Sequence, residues 1–406
     1  MIQAEIYTAV SEKLPKNFPF YNWVPKPLGI IFLVLLFIPI MTVSGAYTVN
    51  SSEMVGGLGI QSEHIAFISF VTSIGMAAFS PFFYSLVCVR RQKMMSLVGF
   101  SILAVQSYVC AKTDSMFVLA LNSLVMGFVR QTLLMCNLFT LIKYGFGIEA
   151  TRNVTPGNEP TDEKGWDALD TEKKASQPII YFFFMLLGQI GTWLTAWFAY
   201  KYQWQMVYYA MLGAILVAIL ITLLCMPYNP YPTKRSPLSF SKFGNVVVFC
   251  LMCCSFSYIM VYGKVYDWYD DASICWATVI CVVSTLLFVY LEKTRRSPYF
   301  MLKAFKSRSI QGGILLFIAL MICNSSSMLV NIFVGVGMKT ENIQVAALGN
   351  WVLLGYFLGL ITILLLNNKG VHFKWFFALG FILIGAASLF MYFEVQTDGM
   401  FERMKW

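Results

Sequence analysis

Long apolar segments alternate with short polar segments along almost the whole chain. A helix needs about 20 mostly apolar residues to cross the hydrocarbon core of a bilayer. We predict a transmembrane helix in each of the segments 28–48, 65–88, 94–111, 116–142, 178–200, 206–226, 244–263, 272–291, 310–337, 345–366 and 375–394. These segments are too long and too continuously apolar for the strands of a β-barrel. The pattern therefore predicts an all-α polytopic membrane protein with about eleven transmembrane helices.

The basic residues between these segments predict the orientation of the chain. Cytoplasmic loops of membrane proteins carry an excess of Lys and Arg. With the N-terminus inside, every inside segment has two or more basic residues, whereas no outside segment before the tail has more than one. An odd number of spans then places the C-terminus outside.

Composition supports a membrane protein and excludes several other classes. Of the 406 residues, 58% are hydrophobic and 12% are charged, whereas a soluble domain is about 25% charged. The net charge of +9 comes from short loops, so nucleic acid is not an expected partner. No CxxC motif or His/Cys ligand spacing indicates a metal site or a disulfide scaffold. No phosphate loop, nucleophile elbow or HExxH motif is present, so we predict no catalytic residue, no cofactor and no enzymatic activity.

The polar segments also predict a division of the chain into regions. The loop at 146–176 is long enough for one surface helix over 161–174. In chain order the regions are a cytoplasmic N-terminal segment (1–27), a first six-helix bundle with that cytoplasmic loop (28–226), a cytoplasmic linker (227–243), two further spans (244–291), an amphipathic cytoplasmic loop (292–309), three spans (310–394) and an external tail (395–406).

The most specific motif lies in the stretch EKTRRSPYFMLKAFKSRSIQGG at 292–313. Its Glu292, Pro298, Leu302, Phe305 and Arg308, followed by a Gly-rich start of a span, resemble the fourteen-span drug:proton antiporter branch of the major facilitator superfamily. Two further stretches look similar to the same branch, YGKVYDW at 262–268 and AYKYQWQMVYY at 199–209.

This resemblance implies helical bundles of the major-facilitator type, in which 244–291 is an insertion and 310–394 is an incomplete second bundle. Members of the branch have fourteen spans, so the resemblance also implies that the chain is truncated after span eleven. It implies a secondary active transporter of the inner (plasma) membrane that exports small amphipathic compounds by alternating access.

The partners implied are the lipid bilayer, a small-molecule substrate and the proton as coupling ion. Whether an outer-membrane or periplasmic efflux partner exists stays open. One alternative is a truncated, non-transporting remnant of such a transporter. The other is a membrane receptor or assembly protein, which the lack of a soluble signalling domain disfavours.

Arg130 is the only charged residue deep in a predicted span. A charge at that depth costs about 2.5–3.5 kcal/mol on insertion scales and normally faces the bundle interior or a water-filled cavity. Ser123, Arg130 and Asn137 are seven residues apart and share one helical face. We predict that this face takes part in substrate binding or coupling, with an interhelical structural role as the alternative.

A polar stripe in span nine is the second candidate. Asn324, Ser327 and Asn331 lie on one side of an apolar helix, which predicts that they line a cavity or form hydrogen bonds between helices. No Asp or Glu lies in the middle of any predicted span. Proton coupling is therefore implied by the resemblance alone.

The loop between spans two and three contains Arg90, Arg91 and Lys93. The resemblance makes them gating-loop candidates, because the superfamily carries Gly-x-x-x-Asp-Arg before a basic cluster at this place. Tyr84 and Val87 stand here instead of that Gly and Asp. Anchoring on the positive inner side of the membrane is the alternative role.

Small residues in two spans predict close helix packing. They are Gly188 and Gly191 in span five, and Gly355 and Gly359 in span ten. Small residues let the backbones of two membrane helices approach closely.

Overall fold

The structure, a computed structural model, describes residues 19–45, 51–82, 86, 92–145, 163–228, 240–294, 304–332, 342–367 and 373–394. These residues form twelve α-helices joined by turns, and no β-strand occurs among them. The helices are α1 (Lys26–Thr42), α2 (Ser51–Leu58), α3 (Ser62–Ala78), α4 (Gln92–Lys112), α5 (Met116–Gly145), α6 (Glu163–Lys201), α7 (Gln205–Cys225), α8 (Phe240–Tyr262), α9 (Ala272–Thr294), α10 (Arg308–Ile332), α11 (Asn342–Asn367) and α12 (Phe373–Glu394).

Every predicted span coincides with one of these helices. Eight of the described helices, α3 to α9 and α11, are long and apolar enough to cross a membrane. Three shorter apolar helices, α1 and the apolar parts of α10 and α12, match the remaining predicted spans. The chain is an all-α polytopic membrane protein. The predicted orientation stays a prediction.

The exposed faces of the helices suit a lipid environment. Trp276 and Leu286 on α9 and Leu315 on α10 each expose 67% or more of their surface. Soluble proteins seldom present large contiguous apolar surfaces to water. In a bilayer such faces contact lipid tails instead.

Helices α1 and α6 are two of those that differ in extent from the spans predicted for them. α1 ends at Thr42 rather than at residue 48, and Pro39 lies within its last turn. α6 begins at Glu163 and runs for 39 residues without a break, so the surface helix predicted over 161–174 is the first part of α6. At about 1.5 Å per residue, α6 is roughly 58 Å long, well beyond the hydrocarbon core of about 30 Å.

Contacts between Cα atoms divide the chain into two compact units. The first lies within Met1–Gly147 and Phe198–Met301, and the second within Ile148–Trp197 and Leu302–Trp406. The first unit contains α1 to α5 and α7 to α9. The second contains most of α6 together with α10, α11 and α12. The predicted bundle boundaries along the chain stay predictions.

In the first unit α5 packs against three neighbours, α1, α3 and α4. Its crossing with α3 depends on two glycines. A Cβ added to Gly75 would overlap the Leu124 carbonyl oxygen, and one added to Gly127 would overlap the Thr72 carbonyl oxygen. The two backbones are therefore in direct contact, which fixes the position of α5 within the unit.

In the second unit α6 and α11 pack side by side through aromatic pairs. The ring centroids of Tyr181 and Tyr356 are 6.1 Å apart, and those of Phe182 and Phe357 are 5.6 Å apart. Both separations are in the range of favourable aromatic contacts.

Candidate functional site

Arg130 lies near the middle of α5 and is half-buried. Its Nη2 donates a hydrogen bond to the Met41 carbonyl oxygen at 2.6 Å. Met41 is in the last turn of α1, where backbone carbonyls have no partner within the helix and carry the negative end of the helix dipole. The guanidinium therefore meets the C-terminus of a helix that ends inside the predicted span.

Three residues beyond the end of α1, the chain approaches α5 and α7 closely at Gly45. The Tyr208 hydroxyl of α7, which is fully buried, donates to the Gly45 carbonyl oxygen at 2.8 Å. A Cβ added to Gly45 would overlap Ser123 Oγ. Ser123 is also fully buried and donates to the Leu119 carbonyl oxygen at 2.7 Å. Glycine at 45 is therefore required by the short distance between the segments.

Thr42 provides a second contact between α1 and α7. Its Oγ1 donates to the Ile38 carbonyl oxygen at 2.8 Å and lies 3.0 Å from Met211 Sδ. We call the residues that meet at this junction the Arg130 cluster, namely Met41, Thr42, Gly45, Ser123, Arg130, Tyr208 and Met211. Through these contacts the end of α1 and the residues that follow it are joined to both α5 and α7.

Asn137 lies two turns beyond Arg130 on α5 and is fully buried. Its Nδ2 donates to the Leu133 carbonyl oxygen at 2.9 Å. Its Oδ1 is enclosed and has no hydrogen-bond partner among the described residues. A buried acceptor without a partner is costly unless a water or a ligand satisfies it.

The structure brings Ser123 and Arg130 together against α1, on the face predicted from their spacing. Sequence reasoning did not identify Gly45, Tyr208 or Met211 as their neighbours. A tyrosine and a methionine in an apolar span are unremarkable in the sequence. Only the fold shows that α7 crosses α1 at this height.

Lys93, one of the gating-loop candidates, contacts the end of α7, and its gating role stays a prediction. Its Nζ donates to the carbonyl oxygens of Leu223 and Met226 at 2.8 and 2.7 Å. These carbonyls lie at the C-terminus of α7, so Lys93 caps that helix. Arg90 and Arg91 lie outside the described residues, and their gating role stays a prediction.

The polar stripe of span nine lies on α10 of the second unit. The backbone of Asn324, Ser327 and Asn331 is helical there, but their side chains lie outside the described part of the chain. Their predicted role in lining a cavity stays a prediction.

The four glycines predicted for close helix packing are not where the closest contacts of the described residues lie, and their packing role stays a prediction. A Cβ added to Gly188, Gly355 or Gly359 would meet no described atom within 4 Å, and Gly191 is buried. Their sequence spacing suits close packing, but spacing does not reveal which face of a helix meets a neighbour. In the first unit, Gly75 and Gly127 are among the glycines at which a Cβ would overlap a neighbouring helix.

Gln189 makes the polar contact between α6 and α11 that sequence reasoning missed. Its Nε2 donates to the Ala346 carbonyl oxygen at 2.8 Å and to Asn350 Oδ1 at 3.1 Å. Gly349 leaves room for it, because a Cβ there would overlap the Gln189 amide. The presence of a glutamine within an apolar span was the feature of the sequence that could have indicated this contact.

A second group of polar and aromatic side chains links the start of α3 to the end of α8. The His64 and Tyr262 ring centroids are 5.3 Å apart, and Tyr262 stacks on Tyr266 at 5.7 Å. Burial, together with Tyr258, raises the pKa of Tyr266, which lies beyond the end of α8. These contacts hold α3 against α8 but include no charge within a span.

Comparisons with known proteins give no family for this chain. No protein-family model matches it, and no curated protein sequence matches it significantly. Among solved structures it is similar to the crystal structure of a mutant of the nucleoside transporter NupG, with 14% sequence identity and a TM-score of 0.37. The alignment covers 64% of this chain and 63% of NupG, so the chain matches less than two thirds of NupG's length. A TM-score of this size does not establish a common fold.

Proposed function

We propose that the chain is a secondary active transporter of the inner (plasma) membrane that exports small amphipathic compounds by alternating access. We further propose that it is of the major-facilitator type and related to the drug:proton antiporter branch, on the basis of the motif at 292–313. The lipid bilayer, the substrate and a coupling proton are its proposed partners.

The Arg130 cluster is the observation that carries this proposal. Ionisable groups within membrane spans are rare, costly and commonly placed on substrate or ion pathways. Arg130 is held at the end of a helix that stops inside its predicted span, and discontinuous helices with exposed backbone groups form binding sites in many transporters. A receptor or a purely structural protein does not need a charge at this depth.

The chemistry of the cluster is compatible with two states. The Met41 carbonyl accepts a hydrogen bond from Arg130, and a substrate group that competes for the guanidinium would weaken this bond. The end of α1 would then be released from α5. Binding energy would thus be coupled to a movement of one helix, which alternating access requires.

Asn324, Ser327 and Asn331 on α10 are proposed as further substrate or coupling residues. Gly188, Gly191, Gly355 and Gly359 are proposed as helix-packing positions that would tolerate alanine but not a large side chain. Arg90, Arg91 and Lys93 are proposed to restrict movement at the inner side of the membrane.

Export of fluorescent dyes from energised cells tests the proposal. Cells that produce the chain are loaded with a panel of anionic and cationic amphipathic dyes, and the rate of dye loss is compared with that of cells without it. We expect faster loss of at least one dye, abolished by a protonophore. Equal rates for every dye in both cell types would contradict a transport function.

A further inference from the structure

We propose that the interface of α6 and α11 binds an aromatic carboxamide, or a substrate that carries such a group, through Gln189 and Asn350. A carboxamide is uncharged and places a carbonyl oxygen beside an N–H group. The inference rests on the proposed function for its role in transport, and it adds a chemical class of ligand to that function.

Gln189 and Asn350 place two side-chain amides within the apolar helices of the second unit. Gln189 lies in the middle of the apolar part of α6, Pro178–Lys201. Asn350 lies in the apolar part of α11, Ile343–Leu365. Gln189 is half-buried, whereas Asn350 is exposed. Lipid tails offer no hydrogen bond to an exposed amide, so contact with them is unfavourable. We therefore expect Asn350 to face a water-filled space or a ligand.

The Ala346 carbonyl determines which atoms of the two amides remain available. A carbonyl oxygen can only accept a hydrogen bond, so the Gln189 group that faces it at 2.8 Å is Nε2. The same Nε2 donates to Asn350 Oδ1 at 3.1 Å. Both N–H donors of Gln189 are thereby used. Gln189 Oε1 and Asn350 Nδ2 have no hydrogen-bond partner among the described residues.

The two remaining groups form a donor beside an acceptor. Each is attached to the same carbon as one of the two bonded atoms, so Gln189 Oε1 and Asn350 Nδ2 are close neighbours. The carbonyl oxygen of a carboxamide would accept a hydrogen bond from Asn350 Nδ2, while its N–H group would donate to Gln189 Oε1. A ligand with only one of these groups would leave one side-chain amide without a partner, which lowers the affinity.

The two helices also favour an uncharged ligand group. α11 contains no charged residue, and α6 contains none from Pro178 to Tyr200. An ionised group loses its hydration in a membrane interior and needs an opposite charge to compensate for that loss. These two helices supply no such charge near the amides. They therefore favour a neutral hydrogen-bonding group over a carboxylate or an ammonium group.

Aromatic side chains continue the interface on one side of the two amides. Tyr181 is eight residues from Gln189 on α6, and Phe357 is seven residues from Asn350 on α11. Each is therefore about two turns from its amide. Both rings belong to the aromatic pairs between the two helices, yet they expose 54% and 45% of their surface. A ring system attached to the carboxamide would contact these exposed aromatic surfaces.

The test compares three naphthalene probes that differ in one group, namely naphthamide, methyl naphthoate and naphthoate. The full chain is placed in nanodiscs of phosphatidylcholine, and the midpoint of thermal unfolding is measured against the concentration of each probe. We expect naphthamide to raise the midpoint in a saturable way. The ester lacks the N–H group and should bind about tenfold more weakly or worse. Charged naphthoate should have no saturable effect. Because the ester is the more apolar of the two neutral probes, simple partitioning into lipid would favour the ester instead.

Variants link the effect to the two amides. Asn350→Leu removes the donors at an exposed position, so we expect it to fold and to bind naphthamide about tenfold more weakly or worse. Gln189→Met removes the acceptor at similar side-chain length and should have the same effect. Thr362→Val is the matched control on α11, because the exposed Thr362 hydroxyl donates within its own helix, to the Leu358 carbonyl oxygen at 2.9 Å. It should bind naphthamide as the unchanged chain does. Asn350→Leu decides the question if Gln189→Met does not fold.

Any of four results would overturn the inference: no saturable stabilisation by naphthamide, equal binding of naphthamide and the ester, equal binding of naphthamide and naphthoate, or unchanged naphthamide binding in Asn350→Leu. Dye export by cells separates this inference from the proposed function. Naphthamide binding by a chain that exports no dye would contradict transport and leave the ligand class intact. Dye export by a chain that does not bind naphthamide would support transport and contradict the ligand class.

Discussion

The helix α5 contacts two of its neighbours by different means. Toward α3 its backbone is in direct contact at Gly127, opposite Gly75. Toward α1 it presents Ser123 and Arg130, and the contact with Met41 is a hydrogen bond from a charged side chain. One helix therefore has a close-packed face and a polar face.

The difference shows how one helix can serve both stability and movement. Helices in a membrane gain little from the hydrophobic effect when they associate, so they rely on close packing or on hydrogen bonds. Close packing of two backbones is possible in only one relative position of the two helices. A hydrogen bond to a carbonyl can instead be exchanged for one to a ligand. We expect the α3 face to stay closed while the α1 face opens.

The largest effect is expected from Arg130→Ala on the polar face. Removal of the guanidinium takes away the proposed substrate partner, so we expect dye export to fall to the level of cells without the protein. The amount of protein in the membrane fraction should be unchanged. Lys112→Ala, which removes an exposed charge at the end of α4, is the matched control. If the Arg130→Ala variant exports dye at the full rate, the polar face of α5 has no role in transport that its close-packed face lacks.

The next effect is expected from Gly127→Leu on the close-packed face. The new side chain would have to displace the backbone of α3 near Thr72, and overpacking of this kind costs about 3 kcal/mol. Thermal unfolding in detergent should show a clear loss of stability. Gly213→Leu on α7 is the control, because a Cβ there meets no described atom within 4 Å. Equal stability of the two variants would mean that the α3 crossing is not tight.

A smaller effect is expected from Tyr208→Phe. It removes the hydrogen bond to the Gly45 carbonyl without changing the shape of the ring, at a cost of about 1 kcal/mol. We expect a slightly lower midpoint of unfolding and reduced, but measurable, export. Tyr209→Phe, at a half-buried neighbouring position, should change neither quantity. If both tyrosine variants behave alike, the bond to Gly45 contributes nothing.

The smallest effects are expected in the second unit. Gly355→Ala replaces a helical glycine that faces open space, and a gain of about 0.5–1 kcal/mol is expected because alanine loses less backbone entropy. Gly349→Ala would instead push against the Gln189 amide and should lose stability. Unfolding midpoints of the two variants measure the contrast. A gain in both would show that Gln189 moves aside freely.

The sequence was sufficient to predict the helices, because about 20 consecutive apolar residues have few structural alternatives in a membrane protein. The ends of α1 and α6 were less predictable. Hydropathy does not reveal that α1 ends at Thr42. The charged residues before Pro178 were predicted to form a loop because they are polar, although Glu and Lys are good helix formers.

The candidate site was predictable only in part. A charge within an apolar span is conspicuous, and the seven-residue spacing relates Ser123, Arg130 and Asn137 to one face. Their neighbours come from α1 and α7, which are distant in the sequence, and no periodicity relates Tyr208 to Gly45. The same holds for Gly75 and Gly127, whose importance depends on where two helices cross.

The contact of Lys93 with the end of α7 has a consequence for biosynthesis. With the predicted orientation, Lys93 is one of the positive charges that keep its loop on the inner side as the chain is inserted. In the folded protein the same ammonium group caps α7 through Leu223 and Met226. A chain in which only one of these two segments is inverted would place Lys93 and that helix end on opposite sides of the bilayer. The two hydrogen bonds of Lys93 can therefore form only when both segments have the same orientation in the membrane.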